Sequence, residues 1–197
     1  IDIYLIHQFH SSTPYDESLR AMEILIQQGK IRYVGVCNYQ AWQVVQSLRM
    51  QDTLNAAPLI TIQNPYSLLN RGLEKEMFPM LRATGTGMMA YSPLAAGLLT
   101  GTAAPPVVAR TKSNQDLNKL IEKTRKPLLK ISQETGYTIP QIAIAWILSK
   151  PEVSAVITGS DTQQQVQENV VSLKAEIPPE SLEKLDEISE NAEGVFD

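Results

Sequence analysis

Five short runs of this sequence are almost continuously apolar, and a segment with helical periodicity follows each of them. The runs are IDIYLIH (1–7), IRYVGVC (31–37), PLITIQ (58–63), TGMMAYS (86–92) and VSAVITG (153–159). Their β-branched and aromatic content and their length suit strands. Because the apolar residues are consecutive instead of alternating with polar ones, both faces of each strand need cover. Parallel sheets clothed by helices have that property. The first intervening segment, YDESLRAMEILIQQGK, sets Leu19, Met22, Leu25 and Ile26 on one helical stripe and closes at Gly29, a helix stop. Further helices are expected over 40–49, 73–83, 116–135, 139–149, 163–173 and 180–190.

An α/β chain of this kind folds as a doubly wound open sheet or as a (β/α)8 TIM barrel. No G-x-G-x-x-G follows any strand, which removes the main signal for a dinucleotide-binding open sheet. Instead the strand ends carry functional groups: His7, Cys37–Asn38, Gln63, Tyr91–Ser92 and Gly159–Ser160. In a barrel such junctions gather at one rim. The expectation is therefore an incomplete barrel of about five βα units plus a C-terminal helix, with residues 1–197 forming a single domain. A full barrel takes about 250 residues and eight strands, so roughly three βα units are expected to be missing. The runs at 1–7 and 153–158 would then be open edges, from which weak solubility or self-association is expected. The irregular stretch 101–115, with its paired prolines, reads as a functional cover or mobile loop.

Composition narrows the function classes. The net charge of −4 gives no broad attraction for nucleic acid or anionic lipid. No apolar run approaches a membrane span, no signal-peptide pattern opens the sequence, and the single cysteine, Cys37, offers no intrachain disulfide. The cytoplasm is the expected compartment, with no nucleic-acid or membrane partner and the oligomeric state unknown. His7 and His10 are three apart, which on a strand places them on opposite faces. With no third histidine a zinc site is not expected. The charge runs DESLRAMEI and ESLEKLDEISEN read as solvated helix faces, and Met88–Met89 as core.

Four ordered segments carry more: GKIRYVGVCNY (29–39), QNPYSLLNR (63–71), AYSPLAAGLLTG (90–101) and ITGSDTQQQVQENV (157–170). In order and spacing they resemble the aldo-keto reductases, from the fourth barrel strand of that family to its C-terminal helix. The resemblance covers essentially the whole chain. It implies an NAD(P)H-dependent oxidoreductase that reduces aldehydes or ketones, with NADPH the default cofactor and NADH possible.

The resemblance also assigns roles. His7 matches the family histidine that orients the substrate carbonyl. Asn38 and Gln63 match the residues that hold the nicotinamide carboxamide, beside Cys37, where the family usually has serine. Read alone, Asn38 is better taken as a helix N-cap. Tyr91 matches the aromatic that stacks on the nicotinamide, and Ser92, Pro93, Leu94 and Gly97 the loop that holds the pyrophosphate. Gly159, Ser160 and Gln165 match the surroundings of the adenosine ribose and any 2′-phosphate, and Glu168 and Asn169 those of adenine. Many members carry Lys and Arg where this chain has Gly159 and Gln165, and Asp161 adds a negative charge. By its residues alone the GSDTQQQVQEN segment is either an anion site at a helix N-terminus or an ordinary helix capped by Asp161 or Thr162.

The family's proton-donating tyrosine, with its lysine and aspartate, lies upstream of the fourth strand. Tyr4, Lys30 and Asp2 stand at the wrong places to replace them. The residues 1–197 alone are accordingly expected to be inactive. The alternative reading is a nucleotide-binding regulatory module of the same fold, as in channel-associated relatives.

Overall fold

The computed structural model of the chain describes residues 1–103, 115–190 and 192. Along them the elements run β1 (Ile3–Ile6), α1 (Tyr15–Gln27), β2 (Tyr33–Cys37), α2 (Ala41–Leu54), β3 (Leu59–Pro65), α3 (Leu73–Thr84), β4 (Gly87–Tyr91), α4 (Gln115–Thr135), α5 (Ile139–Leu148), β5 (Val153–Ile157), α6 (Gln163–Val171), a 3-10 turn (Ser172–Lys174) and α7 (Pro179–Ser189). This is an α/β fold with a five-stranded sheet in the order β1-β2-β3-β4-β5, and β1, β2 and β3 pair in parallel. Every expected strand and helix is present. Of the irregular stretch expected at 101–115, residues 104–114 lie outside the described residues.

The chain divides into two compact units: Ile1–Asn64 with Glu74–Met89, and Pro65–Leu73 with Ala90–Asp197. In the first, α1 ends as its sequence predicts. Gly29 takes φ +67°, its N–H donates to the Ile26 carbonyl, and the Lys30 N–H reaches back to the Leu25 carbonyl. That pair of bonds closes the helix in the left-handed glycine geometry. The interior strand β2 is buried from Val34 to Cys37, as its apolar run requires. The outer strand β1 differs from the fully buried strand its sequence suggests, since no residue of it is fully buried and Tyr4 is exposed. It stands at the end of the sheet order, so it has a strand neighbour on one side only.

Gly35 fixes the distance between these strands. A Cβ built on it would lie 2.6 Å from Leu5 Cδ2 and 2.6 Å from the Thr61 carbonyl oxygen, so β1 and β3 occupy the space of a side chain. The β2–β3 register shifts between Val34 and Gly35, a local irregularity that restores Cys37 opposite Gln63.

The second unit is built around α5, whose sequence IPQIAIAWIL is apolar on nearly all sides and is buried accordingly. Its Trp146 is fully buried and stacks on Tyr66 at 5.4 Å. The Trp146 indole N–H donates to Asp186 Oδ1 at 3.1 Å, and the Arg71 guanidinium and Lys150 ammonium lie over its ring at 5.3 and 4.7 Å. Arg71 also donates to the Asp186 carbonyl and to Ser189 Oγ, and both cations pair with the Asp186 carboxylate. Asp186 belongs to the run ESLEKLDEISEN, which the sequence reading placed on a solvated face. Glu180, Glu183, Lys184, Glu187 and Glu190 are exposed as that reading expects, and Asp186 alone departs from it, turning toward the indole and two cations. β5, at the other end of the sheet order, has no fully buried residue.

Two outcomes follow. Gly35→Ala overpacks three strands and lowers stability by about 3 kcal/mol in urea unfolding. Asp186→Ala leaves the buried Arg71 without its carboxylate and lowers stability by about 2 kcal/mol. Removal of an exposed pair such as Arg32–Asp2 changes stability by less than about 0.5 kcal/mol in the same assay.

Candidate functional site

In the first unit, β1, β2 and β3 are parallel, so their C-terminal ends lie side by side and present the residues that follow them. His7 comes directly after β1 and is exposed. Its carbonyl accepts a bond from Asn38 Nδ2 at 3.4 Å. Asn38 follows β2 with φ +56°, a left-handed conformation that asparagine tolerates better than most side chains, and its N–H donates to the Gln63 carbonyl at 3.0 Å. The structure therefore brings His7, Asn38 and Gln63 together, each tied to the next. It also resolves the capping alternative. The α2 N-cap is Gln40, whose N–H is taken by the Gln43 side chain, and Asn38 lies outside the helix.

Cys37 is 2 % exposed, and its thiol points to Gln63 Oε1 at 3.7 Å. It thus holds the Gln63 amide by its oxygen and leaves the Nε2 donors turned away from the thiol. Asn64, next in β3, is a residue the sequence reading passed over. It is buried, its Nδ2 donates to the Tyr39 carbonyl, and its buried Oδ1 has no partner among the described residues. The signal was present in QNPY but was absorbed by its neighbour Gln63.

Around the first unit's loop after β1, Phe9 packs against Tyr15, Tyr39 and Trp42 with ring centroids 5.1, 5.7 and 6.3 Å apart. His10 lines a small cavity of about 90 Å³ beside these rings, together with Tyr15 and Tyr39. Burial pushes the Cys37 thiol and the Tyr15 and Tyr39 phenols upward, and in Tyr39 the neighbouring Tyr15 and Cys37 add to it.

The second unit holds a cleft of about 910 Å³, large enough for a dinucleotide-sized ligand. Tyr91, Ser92, Pro93, Leu94 and Gly97 line one part of it, and Gly159, Gln165, Glu168 and Asn169 another. Leu129, Ser132 and Thr138, on or just before α4 and α5, line it too. No motif marked them, because their place depends on helix packing.

The turn after β4 is conformationally unusual. Ser92, Ala95 and Ala96 take φ of +56°, +50° and +53°, and Gly97 takes +84°. Non-glycine residues in this region carry a strain that clusters at ligand sites. The Ala95 and Gly97 N–H groups turn back to Ser92 and Leu94, while those of Leu94 and Ala96 meet no acceptor among the described residues. Both residues line the cleft. Gly97 is required by the chain itself, since a Cβ there would lie 2.9 Å from the Ala103 nitrogen.

At α6, Thr162 is the N-cap. Its Oγ1 accepts from the Gln165 N–H at 3.2 Å, and Gln165 Oε1 accepts from the N–H groups of Thr162 and Asp161 at 3.3 and 2.7 Å. Gln165 thus closes the helix end while lining the cleft. Ser160 does not line the cleft. Its hydroxyl accepts from Asn169 Nδ2 at 3.1 Å and holds that residue in place. Gln141 Nε2 similarly holds the Glu168 carbonyl. No group of three His, Cys, Asp or Glu among the described residues is placed to hold a metal ion, and no described helix is long and apolar enough to cross a membrane.

Comparison with known proteins matches residues 1–190 to the Aldo/keto reductase family. An uncharacterised oxidoreductase of Bacillus subtilis (strain 168) is 35% identical over 192 residues, covering 95% of this chain and 58% of its own. A probable voltage-gated potassium channel subunit beta of Arabidopsis thaliana is 32% identical over 201 residues, covering 95% and 61%. The crystal structure of a thermostable aldo-keto reductase in complex with the inhibitor epalrestat superposes with a TM-score of 0.77 at 28% identity, covering 95% of this chain and 60% of that one. The chain thus spans about three fifths of the length of these proteins.

The three raised groups set a pH dependence. Each holds its proton more tightly when folded, so the stability they contribute is intact at neutral pH. It is lost as pH rises from about 9 through the folded values. Urea midpoints should fall over that range, and Cys37 should react with a disulfide reagent at neutral pH far more slowly in the native protein than in urea.

Proposed function

Because the chain belongs to the aldo/keto reductase family, we propose that the protein reduces a small aldehyde or ketone with NADPH or NADH, and that residues 1–197 are the later part of one (β/α)8 barrel domain. The observation that carries the cofactor assignment is the strained turn at Ser92–Gly97. Its Leu94 and Ala96 line a 910 Å³ cleft, and their N–H groups have no acceptor among the described residues, which leaves them available to a pyrophosphate.

In the first unit the donor set fits a carboxamide. Asn38 and Gln63 are amides that lie at adjacent strand ends, joined by one backbone bond from the Asn38 N–H to the Gln63 carbonyl, and the Cys37 thiol lies 3.7 Å from Gln63 Oε1. His7, exposed beside Asn38, takes the role of orienting the substrate carbonyl and donating a hydrogen bond to its oxygen. In the second unit Tyr91 is the stacking surface, with Ser92, Pro93, Leu94 and Gly97 around the pyrophosphate. Gly159, Gln165, Glu168 and Asn169 surround the adenosine, with Ser160 behind Asn169 as its support. When bound, the cofactor supplies hydride to the carbonyl carbon. The tyrosine, lysine and aspartate of the family reaction are assigned to no residue of this sequence. A small carbonyl substrate and a cytoplasmic location complete the reading.

Direct titration tests it. NADPH or NADH fluorescence should change on binding to the chain, and Asn38→Ala and Gln63→Ala should each weaken binding about tenfold, the loss of one or two polar contacts. Cys37→Ser, which gives Gln63 a stronger donor, should retain binding. In the whole protein, His7→Ala should lower kcat on a probe aldehyde on the order of 10²-fold with little change in cofactor affinity. Absence of binding to the chain, or variants at Asn38 and Gln63 that bind as well as the parent, would overturn the assignment.

A further inference from the structure

Among the described residues, the charged lining of the second unit's cleft is of one sign. Of its twenty described lining residues, Asp161 and Glu168 alone are ionisable as acids or bases near neutrality, and no Lys, Arg or His is among them. Neither carboxylate is in an ion pair among the described residues. Glu168 Oε1 accepts from the neutral Gln164 amide at 2.8 Å, and the Asp161 side chain is exposed. We infer that this acidic lining makes the cleft select NADH over NADPH, an inference that rests on the cofactor assignment above.

The comparison is clean because the two nucleotides share everything except the 2′-phosphate. Repulsion between the carboxylates and the pyrophosphate is common to both and cancels. What remains is the extra charge of about −1.5 to −2 at neutral pH that a phosphate monoester carries. One feature opposes the inference: the α6 N-terminus attracts anions with roughly half a positive charge. It is already answered locally. Thr162 and Gln165 satisfy three of the N–H groups at that end, and Asp161 places a full negative charge one residue before the cap. Two unpaired carboxylates therefore outweigh half a dipole charge.

Among the described residues, the polar side chains at the α6 end of the cleft offer no compensation. The Ser160 hydroxyl is engaged by Asn169, and Gly159 has no side chain. Gly159 is also open: a Cβ there meets nothing within 4 Å, so a longer residue fits without displacing the fold.

The test is a fluorescence titration of the chain with NADH and with NADPH at low and at high ionic strength. The dissociation constant for NADPH should exceed that for NADH by tenfold or more at low salt, and the ratio should shrink as salt screens the carboxylates. Asp161→Asn should narrow the ratio several-fold, and Gly159→Lys should reverse it. NADPH binding as tight as NADH at low salt, or a ratio that neither salt nor Asp161→Asn moves, overturns the charge inference while the cofactor assignment stands. Binding of neither nucleotide overturns both.

Discussion

The absence of a side chain at Gly35 is the constraint on which the first unit depends. Leu5 and the Thr61 carbonyl fill its place, so β1, β2 and β3 can approach only with a glycine at that position. The same approach sets the pairing that carries Cys37 opposite Gln63 and leaves Ile6 opposite Val36. His7, Asn38 and Gln63 inherit their proximity from this register. Chemistry at the strand ends is therefore decided several residues earlier, inside the sheet.

The second unit has a different kind of anchor. Trp146 is fixed from both chemical sides: its ring is met by Tyr66, Arg71 and Lys150, and its N–H by Asp186. Such a cluster is worth having for position as much as for energy. Desolvation of Arg71 offsets much of the attraction to Asp186, which is itself partly exposed. What the cluster does determine is where α5 stands relative to α7. From α5, Gln141 reaches the Glu168 carbonyl and so steadies one wall of the cleft.

The elements were legible because the apolar runs of the strands and the stripes of the helices are local signals. Gly29 was readable as a helix stop for the same reason. Gly35 was not readable as a spacer, since the atoms that exclude a side chain there come from Leu5 and Thr61. Asp186 was misplaced on the same grounds: its partners are Arg71, Trp146 and Lys150, and charge pattern along one helix says nothing of them. Asn38 could be a cap or a ligand-holding residue from sequence, and only the left-handed backbone and the Gln40 cap remove the first reading. Gln165 was harder still, because it caps α6 and lines the cleft at once.

That double role has a consequence for how a ligand would be received. Thr162 and Gln165 close the α6 terminus with no help from a guest, and Ser160 already holds Asn169. The wall at that end is in its final form before anything arrives, so association there would forfeit little conformational freedom. Affinity at such a wall is governed by complementarity of charge and shape, and exchange of one ligand for another would leave the helix undisturbed.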